Sequence, residues 1–130
     1  MPQIHVTLSP RTSALFTEAE VSQLDRRFAP IVERIFGIEG ENDTAFTAVR
    51  AMQTRGEADF QVEIRYTVGV DEYGLGKPFN PSLRQQKALV DAIEKEFGEF
   101  LTANGLSDET LSVWCIPCRG GYFRMCKKSK

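Results

Sequence analysis

A chain of 130 residues is long enough to form one domain with a substantial hydrophobic core. Hydrophobic residues make up 42% and charged residues 26% of the sequence, which is typical of a globular protein. The net charge of −2 argues against nucleic-acid binding. We expect no membrane span, since no apolar run approaches about 18 residues, and no secretion, since no basic and apolar leader is present. Three cysteines do not make a disulfide framework, so the expected location is cytoplasmic.

The first residues after Met1 combine a proline with a strand pattern. Alternating apolar and polar residues predict a strand over about residues 3–8. Because Met1 precedes a small residue, we expect its removal, which leaves Pro2 with a free secondary amine at a rigid strand start. An ordinary α-amino group has a pKa of about 7.7–8.0 and can act as a base near neutral pH. The alternative is that Pro2 is merely tolerated at a chain start, where its missing N–H costs nothing.

After a loop expected over about residues 9–12, the sequence has the features of an amphipathic helix. Thr17 and Glu20 form the pattern of a capping box, and Gly37 is a natural C-cap. Apolar residues recur at steps of three and four along one face, namely Val21, Leu24, Phe28, Ile31, Val32, Ile35 and Phe36. Pro30 lies inside this pattern. We expect it to kink or split the helix, because proline removes one ladder hydrogen bond.

The rest of the chain supplies a second helix and further strands. The sequence predicts strands over about 46–53, 60–68 and 111–117, with a short extra strand over about 121–125. The strand over 60–68 shows the clearest alternation of apolar and polar residues. Asn80 and Pro81 are expected to begin the second helix, with Asn80 as the N-cap, and Asn104 and Gly105 to end it.

The elements follow the order β-α-β and then β-α-β again. We therefore expect a single domain over residues 1–130, built from pseudo-repeat halves of about 1–56 and 57–130. Each half is expected to be a right-handed crossover unit with parallel outer strands. The predicted fold is α/β (α+β), in which two β-α-β units form a four-stranded sheet with two helices on one face. Apolar residues expected on the other face are Val49, Ala51, Trp114 and Ile116. An apolar face left open predicts oligomerisation.

Two arginines are candidates for binding an anion. Arg11 follows the first strand directly, and Arg50 lies within the predicted second strand between Val49 and Ala51. A charged side chain inside an apolar strand needs an anionic partner. Because the first two strands are expected to run parallel, Arg50 need not lie near Pro2 in its own subunit, and a neighbouring subunit could supply it instead. A purely structural interpretation makes Arg11 a solvated loop charge and places Arg50 at an exposed position or in a subunit salt bridge.

The cysteines and a glycine-rich stretch give weaker signals. Cys115 and Cys118 form a Cys-x-x-Cys pair, which with Cys126 and His5 is a candidate zinc site, but the spacing fits no standard zinc finger. Reduced structural or surface thiols are the alternative, and we expect no bound metal. The stretch ending in Lys77 precedes a helix but lacks the phosphate-binding loop pattern, because a proline follows the lysine. Nucleotide binding is therefore not expected.

Several of these features together resemble the tautomerase superfamily. The first half is similar to 4-oxalocrotonate tautomerase, with Pro2 opening the strand Gln3-Ile4-His5-Val6-Thr7-Leu8, Arg11 in the following loop, and Thr47-Ala48-Val49-Arg50 in the second strand. The second half and the total length resemble 5-carboxymethyl-2-hydroxymuconate isomerase. This second similarity lies in the strand over 60–68, the stretch Ser82-Leu83-Arg84-Gln85-Gln86 and the helix running to Phe97. Together the two similarities cover most of the chain, with gaps between Arg50 and Asp59 and around Tyr73 to Asn80.

The resemblance implies proton transfer without a cofactor. The neutral amine of Pro2 would take a proton from one carbon of a small unsaturated keto or enol acid and return it to another, while Arg11 and Arg50 bind carboxylates or the developing oxyanion. Nearby cations and an apolar pocket both lower an amine pKa, which keeps Pro2 neutral and basic. The isomerase family has a further arginine after the third strand. The nearest residue here is Lys77, two positions out of register, which binds an anion without the bidentate fork of arginine.

The implied protein is a cytoplasmic, homotrimeric isomerase of aromatic catabolism with a small carboxylate substrate and no nucleic-acid or membrane partner. Two alternatives stay open. The first is a decarboxylase, hydratase or dehalogenase of the same superfamily, whose chemistry uses a protonated proline. The second is a non-catalytic trimer that binds a partner or a small acid.

Overall fold

A computed structural model describes residues 2–38, 44–68, 80–106 and 109–119, apart from the side chains of residues 67, 118 and 119. The elements in chain order are β1 (Gln3–Leu8), α1 (Pro10–Ser13), α2 (Glu18–Phe36), β2 (Ala45–Val49), a short 3-10 helix (Arg55–Glu57), β3 (Phe60–Val68), α3 (Leu83–Ala103) and β4 (Leu111–Arg119). The extra strand predicted over about 121–125 lies outside the described residues. Within those residues, no helix combines the length and apolar character needed to cross a membrane.

The strands form a four-stranded sheet in the order β2-β1-β3-β4. β1 pairs in parallel with β2, and β3 pairs in parallel with β4. The two halves of the chain meet along β1 and β3, which pair antiparallel. This arrangement confirms the predicted α+β fold with two β-α-β units, because each parallel pair is joined by a long helix.

The core lies between the sheet and the helices α2 and α3. One face of β1 and β3 supplies three cross-strand pairs that are fully buried, Ile4 with Ile64, Val6 with Val62, and Leu8 with Phe60. α2 buries much of the apolar face that its spacing predicts, namely Val21, Leu24, Phe28, Val32 and Phe36, and α3 buries Leu89, Ile93, Phe97, Phe100 and Leu101. Each such side chain contributes about 1.5–3 kcal/mol when fully buried, so this layer stabilises the fold and fixes which face of the sheet the helices cover.

A short helix occupies the segment after β1 that the sequence predicts as a loop. α1 begins after Ser9, whose hydroxyl accepts a hydrogen bond from the Thr12 backbone N–H at 3.2 Å. Pro10 occupies the first helical position, where a missing N–H costs nothing. The Ser9-Pro10 pair is therefore a helix-start signal, and the loop expectation is wrong at this point.

α2 runs as one helix through Pro30, so it is not split, and the expected kink stays a prediction. Both predicted ends are confirmed, since Thr17 and Glu20 form a capping box and Gly37 adopts the left-handed conformation with φ 71°. Buried apolar residues on both sides of the proline, Phe28 and Val32, hold the helix against the same core. Tertiary packing of this kind outweighs the loss of one ladder hydrogen bond.

α3 begins later than the sequence predicts, at Leu83 rather than at Asn80 and Pro81. Ser82 is the N-cap. Its hydroxyl accepts from the Gln85 N–H at 3.1 Å, and the Gln85 side chain accepts from the Ser82 N–H at 2.9 Å. This reciprocal pair satisfies two backbone donors and determines where the helix starts. The predicted end is confirmed, with Asn104 as the C-cap and Gly105 at φ 73°.

β2 ends at Val49, well before its predicted end near residue 53. The chain leaves the sheet because Ala51 adopts φ 59°, a left-handed conformation that is incompatible with a strand. The Met52 N–H then donates to the Leu8 carbonyl at 3.1 Å, so the chain turns across the end of β1. Arg50 therefore follows β2 instead of lying within it, and Ala51 is not part of the sheet face. β4, by contrast, continues past its predicted end to Arg119.

Candidate functional site

The predicted site residues lie at opposite ends of β1. Pro2 precedes this strand, whereas Arg11 lies in the helix that follows it, and Arg50 follows the parallel strand β2. The six residues of β1, at about 3.3 Å per residue, separate these two ends by roughly 17–20 Å. Within one protomer the structure therefore brings Arg11 and Arg50 to the same end of the sheet and does not bring either to Pro2.

Pro2 is buried at the start of β1, as a rigid strand start requires. Its carbonyl accepts a hydrogen bond from the Ala45 N–H at 3.1 Å, which begins the ladder between β1 and β2. β3 ends at Val68 on the same side of the molecule, because β3 runs antiparallel to β1. Lys77, the remaining predicted binding residue, follows β3 in the sequence and lies outside the described residues.

Arg11 is held by two carboxylates. Its Nη2 donates to Asp59 Oδ1 at 2.6 Å and to Glu109 Oε2 at 2.5 Å, and its Nε donates to Asp59 Oδ1 at 3.2 Å. The hydrogen bond from Arg11 to Asp59, together with the negative charges of Asp59 and Glu109, raises the pKa of Arg11 above its ordinary value. Two carboxylates balance more than the charge of one guanidinium, so Arg11 offers an anionic substrate little net attraction.

Asp59 joins three parts of the fold. Burial raises the pKa of this carboxyl, but hydrogen bonds from the Thr110 backbone, from Arg11 and from the Thr110 hydroxyl outweigh that effect and hold the pKa below its ordinary value. The Thr110 N–H donates to Asp59 Oδ2 at 2.8 Å. Asp59 thus connects the start of β3 to α1 through Arg11 and to the start of β4 through Thr110, which is a structural role.

Arg50 makes a different set of contacts, all to uncharged oxygens among the described residues. Its Nε donates to Ser13 Oγ at 3.2 Å, and its Nη2 donates to the carbonyls of Ser13, at 2.5 Å, and of Phe16. These oxygens belong to the end of α1 and the turn into α2. They take the place of the anionic partner that the sequence predicts for Arg50.

The contacts of Arg50 leave part of its guanidinium available. A guanidinium has five N–H donors, and the two on Nη1 have no acceptor among the described residues. No carboxylate of the described residues forms an ion pair with Arg50. Contacts to uncharged oxygens thus fix the orientation of Arg50, and no carboxylate of the described residues balances its charge. Arg50 is therefore better suited than Arg11 to bind an anion.

The outer face of the sheet has a polar centre that the sequence reasoning missed. Glu63 is only 5% exposed, although it lies on the face opposite the helices. Its Oε1 accepts from Gln61 Nε2 at 2.8 Å, and its Oε2 accepts from Arg65 Nε and Nη2 at 3.0 and 2.6 Å. The expected apolar residues of this face, Val49 and Trp114, are 38% and 45% exposed. The sequence shows this centre as polar residues at three successive outward positions of β3, Gln61, Glu63 and Arg65.

The histidine and cysteine candidates do not come together in the described part of the chain. His5 Nε2 lies 3.3 Å from Gln3 Oε1 on the outer face of β1. Cys115 is partly buried, and burial raises the pKa of its thiol. The described residues contain no group of three side chains that would hold a metal ion. Cys126 and the side chain of Cys118 lie outside the described part.

The similarity of this chain to known proteins lies in its structure. No family model and no curated protein matches the sequence. A malonate semialdehyde decarboxylase has a TM-score of 0.62 and 12% identity, over 98% of this chain and 92% of its own. A fused 4-OT has a TM-score of 0.61 and 13% identity, over 95% and 91%. Leishmania major MIF2 has a TM-score of 0.59 and 11% identity, over 91% and 89%.

These structural neighbours are members of the tautomerase superfamily. The resemblance seen in the sequence is therefore confirmed for the fold, whereas the specific similarity to 5-carboxymethyl-2-hydroxymuconate isomerase stays a prediction. Identities of 11–13% carry no conclusion about activity. The chain has the four-stranded α+β fold of the tautomerase superfamily.

Proposed function

We propose that this protein belongs to the tautomerase superfamily and is a cofactor-independent isomerase of a small unsaturated keto or enol carboxylic acid. The observation that carries the proposal is the position of Pro2, buried and fixed at the start of β1 in a chain with the tautomerase fold. Removal of Met1 converts the Pro2 nitrogen from a tertiary amide, which has no basicity, into a secondary amine. Burial disfavours the charged form of an amine, which lowers its pKa and favours the neutral base near pH 7.

The proposed reaction moves one proton and one double bond. The lone pair of the Pro2 nitrogen takes a proton from a carbon next to the carbonyl of a keto acid, or from the hydroxyl of an enol acid, and the electrons of the broken C–H or O–H bond stay on a dienolate. The protonated amine then returns the proton to a different carbon of the dienolate. Pro2 ends as the neutral amine and the substrate is isomerised, so no oxidant, reductant or cofactor is needed.

We further propose a homotrimer in which a neighbouring subunit supplies an arginine to each Pro2. The separation of Pro2 from both arginines by the length of β1 supports this, since one protomer has the base without either predicted cation. Arg50 is the favoured arginine, because its orientation is fixed and its Nη1 is available for a carboxylate or an oxyanion. Arg11 is less favoured, because Asp59 and Glu109 already balance its charge. Lys77 is proposed as a further anion-binding residue.

Two more functions are compatible with the same site. A decarboxylase, hydratase or dehalogenase is the second candidate, and the fold similarity to a malonate semialdehyde decarboxylase, as high as that to fused 4-OT, favours it over unrelated chemistries. The third is a non-catalytic trimer that binds a partner or a small acid. A role in aromatic catabolism and a cytoplasmic location are proposed from the sequence resemblance and the cysteine count.

The test is ultraviolet turnover of a 2-hydroxymuconate-type dienol by protein whose N-terminal Pro2 has been verified by mass. We expect Pro2→Ala to lower the rate at least tenfold, which corresponds to about 1.4 kcal/mol of barrier. The matched control is Pro10→Ala, since Pro10 is exposed at the start of α1 and at the other end of β1.

The pH dependence separates the first two candidates. A neutral Pro2 base predicts a rate that rises with pH through the amine pKa, whereas a protonated proline predicts a rate that falls. Equal turnover by the parent and Pro2→Ala would contradict the assignment of the base. A parent with a verified Pro2 terminus and no turnover of any small keto or enol acid would leave only the non-catalytic trimer.

A further inference from the structure

Two mostly buried carboxylates surround the guanidinium of Arg11. The side chains of Asp59 and Glu109 are 13% and 7% exposed, and both accept from Arg11 Nη2, at 2.6 and 2.5 Å. Among the ion pairs of the described residues, Arg11 is the one cation that faces either carboxylate. Because a buried carboxylate without a partner is costly, the charge of Arg11 is used within the fold. One positive charge and two negative charges give this cluster a net charge of −1.

Arg50 lies beside the same short helix with its charge unbalanced. Its Nη2 donates to the Ser13 carbonyl at the end of α1, whose four residues include Arg11. At 1.5 Å per residue, this helix is about 6 Å long. Within the described part of the chain, no carboxylate forms an ion pair with Arg50. A carboxylate bound to Arg50 is therefore attracted by a full charge, whereas a second carboxylate that approaches Arg11 meets a net negative cluster.

Arg55 does not change this contrast, although it precedes β3 at the same end of the sheet. Its guanidinium carbon lies 5.8 Å from the centre of the Trp114 ring in β4. β4 is three strand spacings, or about 14 Å, from β2. Arg50 follows β2 and reaches the Phe16 carbonyl at the turn into α2. Arg55 is therefore remote from a ligand that is bound to Arg50.

We propose that the substrate of this protein carries a single carboxylate, which Arg50 binds, and that Arg11 provides no site for a second one. This inference rests on the proposed function for the identity of the site, and it names the class of acid that the site accepts. An acid with a carboxylate at each end binds more weakly, because the excess negative charge of Asp59 and Glu109 repels its far carboxylate. The charges around Arg11 thus select against diacids.

The test measures the binding of two keto acids of equal length, 2-oxohexanoate with one carboxylate and 2-oxohexanedioate with two. Isothermal titration calorimetry with processed protein at low salt gives both dissociation constants. We expect the monoacid to bind at least about fivefold more tightly, and this ratio to shrink at high salt, which screens the repulsion. At a temperature where the variant is folded, Arg50→Met should weaken binding of the monoacid at least about tenfold, because it removes a charged donor.

Glu109→Gln tests the source of the preference. Glutamine keeps an oxygen for the bond from Arg11 and removes one negative charge, so the cluster becomes neutral. The diacid should then bind at least about threefold more tightly than it binds the parent, while the monoacid changes by less than about twofold. Glu99→Gln is the matched control, because Glu99 is exposed on α3 and outside the ion pairs of the described residues. It removes the same charge and should leave the ratio at the parent value.

The binding measurement does not require proton transfer by Pro2, so the two proposals fail separately. Equal or tighter binding of the diacid by the parent would overturn the single-carboxylate inference, as would an equal effect of the two glutamine variants. No measurable binding of either acid would overturn it too. A preference for the monoacid in a protein that turns over no acid would contradict the isomerase assignment alone and support the inference for a binding protein.

Discussion

Replacing Arg50 with methionine should destabilise the protein through the loss of a cap at the end of α1. Methionine retains an unbranched apolar stem but has no donor, so the Ser13 and Phe16 carbonyls each lose an N–H partner. A hydrogen bond from a charged group contributes about 1.5–3 kcal/mol. The Ser13 hydroxyl can turn to water and adds little. Because Arg50 is only partly buried, water replaces part of each lost bond, and we expect a decrease in the free energy of unfolding of about 2–4 kcal/mol.

Urea unfolding followed by circular dichroism measures this loss. With a slope near 2 kcal/mol per molar urea, the midpoint should fall by about 1–2 M at unchanged slope. Arg26→Met is the control, because Arg26 is exposed on α2 and its change should stay within about 0.5 kcal/mol. A midpoint for Arg50→Met that equals the control would refute the capping role. Activity at a temperature where both variants are folded is a separate measurement, since it reports whether Arg50 also binds the substrate.

Two further predictions concern the ends of the strands and of α3. Asp59 has a pKa held below its ordinary 3.8, so its contribution to stability is present above pH 3.8 and disappears as the pH falls through the lower folded-state value. Asp59→Asn should therefore be less stable than the parent at pH 7, and the difference should shrink in acid, as urea unfolding at several pH values would show. Ser82→Ala removes the N-cap of α3 and should cost about 1 kcal/mol, whereas Ser22→Ala on the exposed side of α2 should cost less. Equal losses for the two serine variants would count against the capping box.

The strands could be predicted from the sequence where apolar and polar residues alternate. The sequence predicts β1 and β3 with their observed bounds, because a two-residue period with one apolar face permits a single register. The start of α3 could not be placed from Asn80 and Pro81, since two valid start signals lie close together and only the reciprocal bonds of Ser82 with Gln85 decide between them.

Less of the candidate site than of the fold could be predicted from the sequence. The start of β1 at Pro2 follows from local pattern, but the partners of Arg11 are distant in sequence, 48 residues away for Asp59 and 98 for Glu109. No pattern in the chain indicates such pairs, because they arise from the meeting of three strand ends.

The polar centre of the outer face is compatible with the proposed trimer. Covering a sheet face with another subunit is costly when it leaves a charge unpaired. Glu63 is already satisfied within its own protomer by Gln61 and by two bonds from Arg65, and the Arg55 backbone N–H donates to Gln61 at 2.7 Å. A second protomer could therefore bury this face without stranding the carboxylate, while exposed Val49 and Trp114 would supply the apolar area at its margins. Burial of this face between subunits would therefore leave no unpaired carboxylate at Glu63. In the proposed trimer, a contact of this kind would bring the Arg50 of one subunit towards the Pro2 of another.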